Sequence, residues 1–288
     1  IMRTLRYDVR VRAALVVLIV ASTAFAADKP RWETVSMPPA MPAASATGMV
    51  EVDGAQIYYA RYGAGDPVVL LHGGLGNGDH WANQVPTLTD AKHEVIIIDS
   101  RGQGRSTHTA KAPSYDQMAS DTLAVLDALK IGKAAFVGWS DGGEIALKIA
   151  IAHPDRVAKL FVFGSNYNSE GSKKRNGPSP TFSAYSVKCK ADYQRMSKTP
   201  KQFDQLVDWL LPVWRNPMGF SKEQLKTITA PTMVADGDHD EVIVLSQVEE
   251  MSHLIPNAQL KVFEGASHFA LWQDPADFNK TLVDFLAP

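Results

Sequence analysis

The apolar residues of this chain fall into short continuous runs that alternate with amphipathic segments. Four uninterrupted apolar runs occupy residues 67–71, 95–98, 134–137 and 160–163. Residues 115–129 and 144–152 carry apolar side chains at helical spacing, with polar residues interleaved. Continuous apolar strands are typical of a parallel sheet that is covered on both faces. Their alternation with helices predicts right-handed crossovers and a doubly wound α/β sheet.

Strand patterns flank this series on both sides. Residues 49–53 and 56–62 alternate around Gly54, which predicts an antiparallel hairpin. Two further apolar runs, at residues 232–235 and 260–263, bring the predicted strands to eight. We therefore predict that residues 48–165 and 230–288 form one α/β core, a mostly parallel eight-stranded sheet with helices on both faces.

A segment without strand pattern interrupts this core. Residues 166–229 contain helical stretches at residues 184–196, 201–211 and 221–228. We therefore predict a helical insertion of about sixty residues. The chain ends in another predicted helix at residues 274–286, with Asp274 as its N-cap and Pro275 at its first position.

The N-terminus has the pattern of an export signal. Four arginines precede an apolar run at residues 13–21, and Ala24 and Ala26 follow in a small-x-small pattern. We predict that residues 1–26 are a signal peptide and that the protein is periplasmic or secreted, without stable membrane insertion after cleavage. The alternative is an uncleaved anchor, although the run is shorter than the roughly 20 residues that span a bilayer. Residues 27–47 are rich in Pro and Ala, which predicts a linker or mobile arm.

Composition narrows the class of protein. Hydrophobic residues make up 45% and charged residues 21% of the chain, which is ordinary globular usage and excludes disordered and fibrous classes. The formal net charge of −2 gives no reason to expect nucleic acid or an anionic membrane surface as a partner. Cys189 is the single cysteine, so an intramolecular disulfide cannot form.

The strongest chemical signal is a glycine-flanked serine. Gly138, Ser140 and Gly142 form a G-x-S-x-G pattern directly after the run at residues 134–137 and before a predicted helix. In that setting the pattern predicts a sharp strand-to-helix turn that exposes the serine as a nucleophile. The helix N-terminus beside Ser140 favours developing negative charge.

A serine nucleophile needs a base and a group that orients the base, and both should follow it in chain order. Three aspartates come after the strand at residues 232–235, namely Asp236, Asp238 and Asp240. Asp236 and Asp238 are typical turn-shaping residues. With His239 between Asp238 and Asp240, a metal site is a minor alternative, although adjacent residues on one turn do not converge on an ion without further ligands. His268 lies in the loop after the last predicted strand and is the candidate base.

The same chemistry needs donors for an oxyanion. We expect the N–H of Asp141, the residue after the nucleophile, and the N–H of Gly74 in the glycine-rich loop after residues 67–71, with Leu75 as second candidate. His72 in that loop is interpreted as a loop hydrogen-bonding residue. Arg101 is expected to satisfy buried carbonyls or a carboxylate.

These motifs together resemble the α/β-hydrolase family. The shared pattern comprises the His72-Gly73-Gly74 loop, the Asp99-x-Arg-Gly-x-Gly loop, the Ser140 turn, Gly237-x-x-Asp240 and Gly265-x-x-His268, all in the order of the family. The resemblance implies the α/β-hydrolase fold, a Ser140–His268–Asp240 triad and a lid formed by residues 166–229. The choice of Asp240 among the three aspartates rests on its place three residues after Gly237.

A closer similarity concerns the valacyclovir hydrolase (biphenyl hydrolase-like) branch. It rests on residues 138–143 and 163–167, and it implies that Asp141 binds a substrate ammonium group. The alternative is that Asp141 gives only its N–H while its side chain bonds a neighbour. Further residues expected at the substrate are Leu75, Trp139, Trp209, Trp214 and Phe269. Lys173 and the next two residues are interpreted as a solvated loop.

The sequence thus predicts an exported enzyme that cleaves carboxylic esters of small molecules through an acyl-enzyme on Ser140. A lactonase, including one for acyl-homoserine lactones, an α-amino-acid ester hydrolase, a carbon–carbon bond hydrolase and a cofactor-free perhydrolase are alternatives on the same triad. A non-catalytic hydrolase-fold binding protein is the alternative from another class. No cofactor or metal is implied.

Overall fold

A computed structural model describes residues 29–174, 177, 179–215 and 219–288 of the 288-residue chain. The predicted signal peptide, residues 1–26, lies outside the described residues. In the part of the chain described, no helix combines the length and the apolar character needed to cross a bilayer.

Eight strands form one sheet in the described part of the chain. They are β1 (Ala46–Val52), β2 (Ala55–Gly63), β3 (Asp66–Leu71), β4 (His93–Ile98), β5 (Ala134–Trp139), β6 (Val157–Phe163), β7 (Thr232–Gly237) and β8 (Ala258–Phe263). Their spatial order is β1-β2-β4-β3-β5-β6-β7-β8. The hairpin β1–β2 pairs antiparallel with β4, and the strands from β3 to β8 are parallel. The predicted mostly parallel eight-stranded sheet is confirmed.

The α-helices fall between and after the strands. They are α1 (Gln84–Asp90), α2 (Tyr115–Ala128), α3 (Asp141–Ala152), α4 (Pro180–Met196), α5 (Phe203–Arg215), α6 (Lys222–Leu225), α7 (Leu245–Leu254), α8 (Ala270–Gln273) and α9 (Pro275–Leu286). The apolar sides of α1, α8 and α9 pack in one core cluster, and those of α2, α3 and α7 pack in the other.

Strand β3 shows why the central strands are apolar throughout. Val68 and Leu70 point to the core cluster that contains α1 and α9, whereas Val69 and Leu71 point to the cluster that contains α2 and α3. All four are completely buried. Because side chains of a strand alternate between the faces of the sheet, a strand that is covered on both faces must be apolar at every position. Each such side chain contributes about 1.5–3 kcal/mol by its burial.

The helix termini agree with the sequence where a capping residue is present. Asp274 accepts a hydrogen bond from the amide of Asp277 at the start of α9, with Pro275 at the first position, as predicted. The sequence pattern does not predict α1 or α7. Helix α1 has only seven residues and α7 starts after Val244, and neither helix has a side-chain cap. Without a capping residue, the signal for the start of a helix is missing.

The insertion between β6 and β7 supplies three helices, α4, α5 and α6. Helix α4 begins after Ser179, whose hydroxyl accepts a hydrogen bond from the amide of Phe182. Within the insertion, the Tyr185 hydroxyl donates to the carbonyl of Gly74, and the Trp214 indole donates to the carboxylate of Asp141. These two contacts bring the insertion over the carboxyl ends of β3 and β5.

The segment before β1 lies against the body of the protein. Residues Arg31–Glu33 form one 3-10 turn, and the following backbone runs without regular structure to β1. Val35, Met41 and Ala44 are partly buried against the core cluster of α9. The described portion of the predicted linker therefore contacts the core at intervals through these three side chains.

Candidate active site

The turn between β5 and α3 lifts Ser140 into a strained backbone conformation. Its φ is 55° and its ψ is −123°, a backbone conformation that residues other than glycine rarely adopt. A Cβ on Gly138 would lie 2.3 Å from the carbonyl oxygen of Gly142, and a Cβ on Gly142 would lie 2.1 Å from the carbonyl oxygen of Leu71. The two flanking glycines are therefore required by sterics, which is the physical content of the G-x-S-x-G pattern.

Backbone hydrogen bonds hold this turn on the sheet. The Ser140 amide donates to the carbonyl of Phe163 over 2.9 Å, and the Ser140 carbonyl accepts from the Ser165 hydroxyl over 2.8 Å. The side chain of Ser140 lies on the wall of a cavity of about 560 Å³. The strain of the turn is thus balanced by neighbours, and the serine side chain is left at the cavity.

Asp240 follows β7 and is bound on both carboxylate oxygens. Its Oδ2 lies 2.6 Å from Nδ1 of His268, and its Oδ1 accepts from the amides of Val242 and Ile243 over 2.5 and 2.7 Å. Burial raises the pKa of Asp240, but the attraction and hydrogen bond of His268 outweigh it, so the pKa lies below the ordinary value. Asp240 therefore remains a carboxylate that faces the imidazole.

The other two aspartates of this turn have different partners. Asp238 accepts hydrogen bonds from His239 and from the amide of Ala266, and so it ties the loop after β7 to the loop after β8. Asp236 accepts from the amide of Gly237 and is completely buried. Burial and the charge of Asp240 raise the pKa of Asp236 well above its ordinary value. Both carboxyls shape the turn, as the sequence indicates.

His268 is buried beside Asp240 at the carboxyl edge of the sheet. Burial lowers the pKa of His268, but the negative charge of Asp240 and its hydrogen bond outweigh this effect, so the pKa lies above the ordinary value for histidine. With Nδ1 directed at Asp240, Nε2 is the nitrogen left to act as a base. The Trp139 indole donates to the His268 carbonyl over 2.9 Å and links the base loop to the nucleophile turn.

The structure brings the three predicted triad residues to one site. Asp240 and His268 are hydrogen-bonded to each other, and His268 and Ser140 lie on the wall of the same cavity. A direct bond from the Ser140 hydroxyl to the imidazole is not among the hydrogen bonds between described residues. In ligand-free enzymes such contacts are often long and tighten only when substrate binds.

The predicted oxyanion donors lie beside Ser140. Asp141 is the first residue of α3, so its N–H has no partner within the helix. Gly73 and Gly74 are on the cavity wall, and a Cβ on Gly73 would lie 3.2 Å from the Cβ of Ser140. Leu75, the second candidate, has a φ of 66° and is buried away from this wall. The geometry favours the Gly73–Gly74 side of the loop over Leu75.

The Asp141 carboxylate is bound by neighbouring side chains. It accepts from Nε1 of Trp214 over 2.9 Å and from the Tyr115 hydroxyl over 3.1 Å. Burial raises the pKa of Asp141, and these two hydrogen bonds offset part of the rise. Of the two interpretations of Asp141, these contacts fit the one in which its side chain bonds a neighbour.

A second carboxyl group lies next to Asp141 on the cavity wall. Glu144 is one helical turn after Ser140 in α3, which places both residues on one side of the helix. Burial and the charge of Asp141 raise the pKa of Glu144 well above its ordinary value. Sequence reasoning missed Glu144 and Tyr115, although the spacing of four residues from Ser140 is a signal that could have identified Glu144.

The other residues predicted to contact substrate divide into two groups. Trp139, Asp141 and Trp214 lie on the cavity wall. Leu75, Trp209 and Phe269 do not lie on this wall, because each side chain packs elsewhere. Leu75 is buried in the core, Trp209 packs edge-on against His108 outside the cavity, and Phe269 is completely buried against Trp139, Tyr185 and Trp272. Proximity in sequence to a site residue does not decide which way a side chain points.

Lys173 is exposed, which fits the interpretation of a solvated loop, but it also has a defined partner at the site. Its ammonium group donates to the backbone carbonyl of Asp240 over 2.5 Å, and its side chain lines the cavity. His72 and Arg101 agree with their interpretations. His72 bonds the carbonyl of Gly73 and accepts from the amide of Ser100, and Arg101 forms a buried ion pair with Asp121 and donates to the carbonyl of Val52.

Among the described residues, no group of three or more His, Cys, Asp or Glu side chains is arranged to hold a metal ion. The Asp238–His239 pair, the alternative raised by the sequence, is instead bonded internally, and the His239 ring stacks on Trp32 at 3.9 Å between ring centroids.

Comparison with known families agrees with this architecture. A family model described as the alpha/beta hydrolase fold matches residues 66–186 and 172–275. Among curated proteins, the 2-hydroxy-6-oxononadienedioate/2-hydroxy-6-oxononatrienedioate hydrolase of Cupriavidus pinatubonensis is 31% identical over 254 residues, covering 78% of this chain and 88% of the relative. The non-heme chloroperoxidase CPO-A1 of Kitasatospora aureofaciens is 28% identical over 267 residues, covering 81% and 97%.

Two solved structures are similar over most of the chain. Est816, described as an N-acyl homoserine lactone degrading enzyme, is 31% identical with a TM-score of 0.64, covering 83% of this chain and all of Est816. The meta-cleavage product hydrolase CumD of Pseudomonas fluorescens IP01 is 23% identical with a TM-score of 0.71, covering 82% and 96%. At that identity, CumD supports the fold alone.

Proposed function

Because the chain belongs to the α/β-hydrolase family, we propose that it is a serine hydrolase that cleaves carboxylic esters of small molecules, cyclic esters included. One observation carries the proposal. A buried His268–Asp240 pair, 2.6 Å apart, shares a cavity with Ser140 on its strained turn. This arrangement suits acyl transfer to a serine.

The proposed reaction has two halves. Nε2 of His268 takes the proton of the Ser140 hydroxyl as its oxygen attacks the ester carbonyl carbon. The N–H groups of Asp141 and Gly74 stabilise the oxyanion, whose collapse breaks the C–O bond, and His268 gives its proton to the leaving alkoxide. A water molecule, deprotonated by His268, then attacks the acyl carbon. The bond from this carbon to the Ser140 oxygen breaks, and His268 returns its proton to that oxygen as the acid leaves. With a lactone, both parts leave as one hydroxy acid.

The cavity wall favours an uncharged or weakly polar acyl group. Phe182, Leu211 and Val213 from the lid line it together with Ile243 from the core. The buried Asp141 carboxylate would repel a nearby anion. Est816, which shares 31% identity over its whole length, degrades N-acyl homoserine lactones, and this similarity supports a lactone as one substrate class.

A carbon–carbon bond hydrolase is the second candidate. It is supported by the 31% identity to the 2-hydroxy-6-oxononadienedioate hydrolase, whose named substrate carries two carboxylates. Lys173 and Arg215 lie on the same cavity wall and could pair with such anions. The two candidate reactions therefore differ in whether the substrate contacts the cationic side chains of the cavity wall.

The test combines active-site labelling with substrate competition. We expect a fluorophosphonate probe to label the pure protein and to leave Ser140→Ala unlabelled. We also expect kcat/KM to be higher for 4-nitrophenyl butyrate or an N-acyl homoserine lactone than for a 2-hydroxy-6-oxo-dienedioate. A reversed preference would support the second candidate. An unlabelled wild-type protein would support the alternative of a binding protein without catalysis.

A separate comparison of two esters tests the alternative of an α-amino-acid ester hydrolase. If Asp141 bound a substrate ammonium, Asp141→Ala would reduce kcat/KM for an aminoacyl ester far more than for a matched acyl ester without the amine. Trp214 and Tyr115 already donate hydrogen bonds to the Asp141 carboxylate. We therefore expect Asp141→Ala to lower kcat/KM for the two esters by the same factor. A selective loss for the aminoacyl ester would overturn this expectation.

We also propose that the protein is exported. The support is the arginine-rich start, the short apolar run and the Ala24-x-Ala26 pattern of the sequence. Expression of the full chain in a Gram-negative host, fractionation and N-terminal sequencing would test it. A periplasmic product that starts at Ala27 is the expected result, and a membrane-bound product that retains residues 1–26 would indicate an anchor instead.

A further inference from the structure

The segment before β1 contacts both loops that carry the acid and the base. Nε of Arg31 donates to the carbonyl of Gly265 over 3.0 Å, and the guanidinium also donates to the carbonyl of Glu264. The same guanidinium forms an ion pair with Asp274 at the start of α9. Glu264 and Gly265 form the beginning of the loop that presents His268, so Arg31 joins the start of that loop to the start of α9.

Trp32 reaches the acid loop from the same segment. Its indole stacks on the ring of His239 with 3.9 Å between ring centroids and 20° between the ring planes. His239 directly precedes Asp240, and its amide donates to the carbonyl of Ala266 in the base loop. A Cβ on Gly265 would lie 3.8 Å from the indole. Trp32 therefore lies over the junction of the acid and base loops.

A third contact continues to the residue next to His268. The carbonyl of Thr34 accepts from Nε2 of Gln273 over 2.7 Å. The same amide nitrogen bonds the Ser267 hydroxyl over 3.0 Å, and Oε1 of Gln273 accepts from the Ser267 amide over 2.8 Å. Thr34 thus helps to orient the side chain that fixes the backbone on the N-terminal side of His268.

These contacts contribute more to geometry than to stability. The Arg31–Asp274 pair is solvent-exposed, with side chains 39% and 28% accessible, and such pairs are worth about 0–1 kcal/mol. Without Arg31, the two loop carbonyls could bond water at little cost. What would be lost is the connection of the N-terminal segment to the loops that carry Asp240 and His268, which also contact each other through Asp238, His239 and Ala266.

We infer that residues 31–34 act as a positioning strap that holds the His268 loop against the Asp240 loop. The inference rests on the proposed function of that pair in hydrolysis. None of Arg31, Trp32 and Thr34 lines the cavity, so the strap acts through His268 and Asp240 rather than on the substrate. Displacements of about 1 Å at a catalytic group can lower a rate by up to about 10²-fold, which is the scale on which a strap can act.

The experiment uses the full chain with Arg31→Met and Trp32→Ala combined. We expect kcat for an ester to fall about 10-fold while KM stays unchanged. Arg156→Met is the matched control, because Arg156 bonds the carbonyl of Gly132 and the carboxylate of Asp127 in the same way but far from the site. The conservative pair Arg31→Lys and Trp32→Phe should recover a large part of the lost kcat.

A second readout does not depend on turnover. The charged groups that face His268 are Asp240, Glu241 and Asp141, and their charges raise its pKa. A loosened loop separates His268 from Asp240, so the NMR titration of the His268 ring should move to lower pH in the double variant and stay in place in Arg156→Met. The acidic limb of kcat/KM should move in the same direction.

The two readouts separate the strap from the proposed function. An unchanged titration and an unchanged kcat in the double variant, even with a lower melting temperature, would overturn the strap and leave a merely structural segment. If the wild-type protein hydrolyses no ester and takes no fluorophosphonate label, the proposed function fails. A shift of the His268 titration would then still support the strap.

Discussion

The edge of the sheet and the lid meet at the same cavity, but they are built differently. At the sheet edge the backbone is fixed by sterics, since Gly138 and Gly142 leave no room for a side chain and Ser140 is held in a strained conformation. The inserted segment of residues 166–229, the predicted lid, is held on the core by side chains and by a backbone bridge between Ser172 and Ile243. Its Tyr185 and Trp214 make polar contacts to the nucleophile region. The edge of the sheet thus sets the chemistry, and the lid shapes the space around it.

One side chain bridges the two regions. Oε1 of Glu241 accepts hydrogen bonds from Ser179 and Thr181 at the start of α4, and Oε2 accepts from the amide of His268 over 3.2 Å. The beginning of the lid is therefore anchored to the base loop. The edge of the sheet carries the reacting groups, whereas the lid bounds the cavity around them. We therefore expect changes at the edge to alter kcat strongly and changes in the lid to alter KM modestly.

The largest effect should come from removing the nucleophile. In Ser140→Ala we expect kcat for an ester to fall by about 10⁴-fold or more, because the remaining donors and binding groups supply only a small residual rate. The unfolding transition should be nearly unchanged, since alanine keeps the Cβ that strains the turn at this φ. Steady-state kinetics and urea unfolding measure the two quantities. A variant that keeps a tenth of its activity would show that the chemistry lies elsewhere.

The next effect concerns the partner of the base. In Asp240→Asn we expect kcat to fall about 10³- to 10⁴-fold, because the imidazole loses the charge that orients and stabilises it. The base must be neutral, so activity disappears as the pH falls through the His268 pKa, which Asp240 raises above 6.5. Without that charge, burial lowers the pKa, and the acidic limb of the pH–rate profile should move to lower pH.

Asp238→Asn is the control for that change, because Asp238 lies in the same turn but bonds His239 and Ala266 rather than His268. It should keep most of the activity and the wild-type acidic limb. If both variants lost activity equally, the assignment of Asp240 over its neighbours would be wrong.

The sheet edge and the lid also differ in how well the sequence predicts them. The strands and the Ser140, Asp240 and His268 positions are predictable because they depend on local rules: apolar runs, a glycine-flanked serine and the order of motifs along the chain. The residues that line the cavity cannot be predicted in this way. Lys173, Tyr115 and the lid tryptophans reach or miss the cavity according to how distant segments pack, and sequence spacing carries no information about that.

The insertion illustrates the limit most clearly. Trp209 and Trp214 lie five residues apart on one helix and are equivalent in sequence terms. Trp214 faces the Asp141 carboxylate, whereas Trp209 packs against His108 outside the cavity. A helical pattern predicts that α5 exists, but only the position of the helix on the core decides which of its aromatic residues contacts the site.

A third effect, on stability, tests the sterics of the edge. In Gly142→Ala a Cβ would lie 2.1 Å from the carbonyl oxygen of Leu71, so the backbone must shift. We expect the free energy of unfolding to fall by about 1–3 kcal/mol, with a loss of kcat as the turn moves. Gly132→Ala is the matched control, because no atom lies within 4 Å of a Cβ built there. Equal urea midpoints for the two variants would mean that the turn tolerates a side chain.

The smallest effect should come from the lid. In Trp214→Phe an aromatic ring is kept, but the single indole N–H, which is shared between the two Asp141 oxygens at 2.9 and 3.0 Å from Nε1, is lost. A hydrogen bond to a charged group is worth about 1.5–3 kcal/mol, and water that enters the site replaces part of it, so we expect KM for a neutral ester to rise about 3- to 10-fold with kcat nearly unchanged. Trp209→Phe, on the same helix but outside the cavity, should change neither constant. A fall of kcat in Trp214→Phe as large as in Asp240→Asn would contradict the comparison, because it would place a lid residue in the chemical step itself.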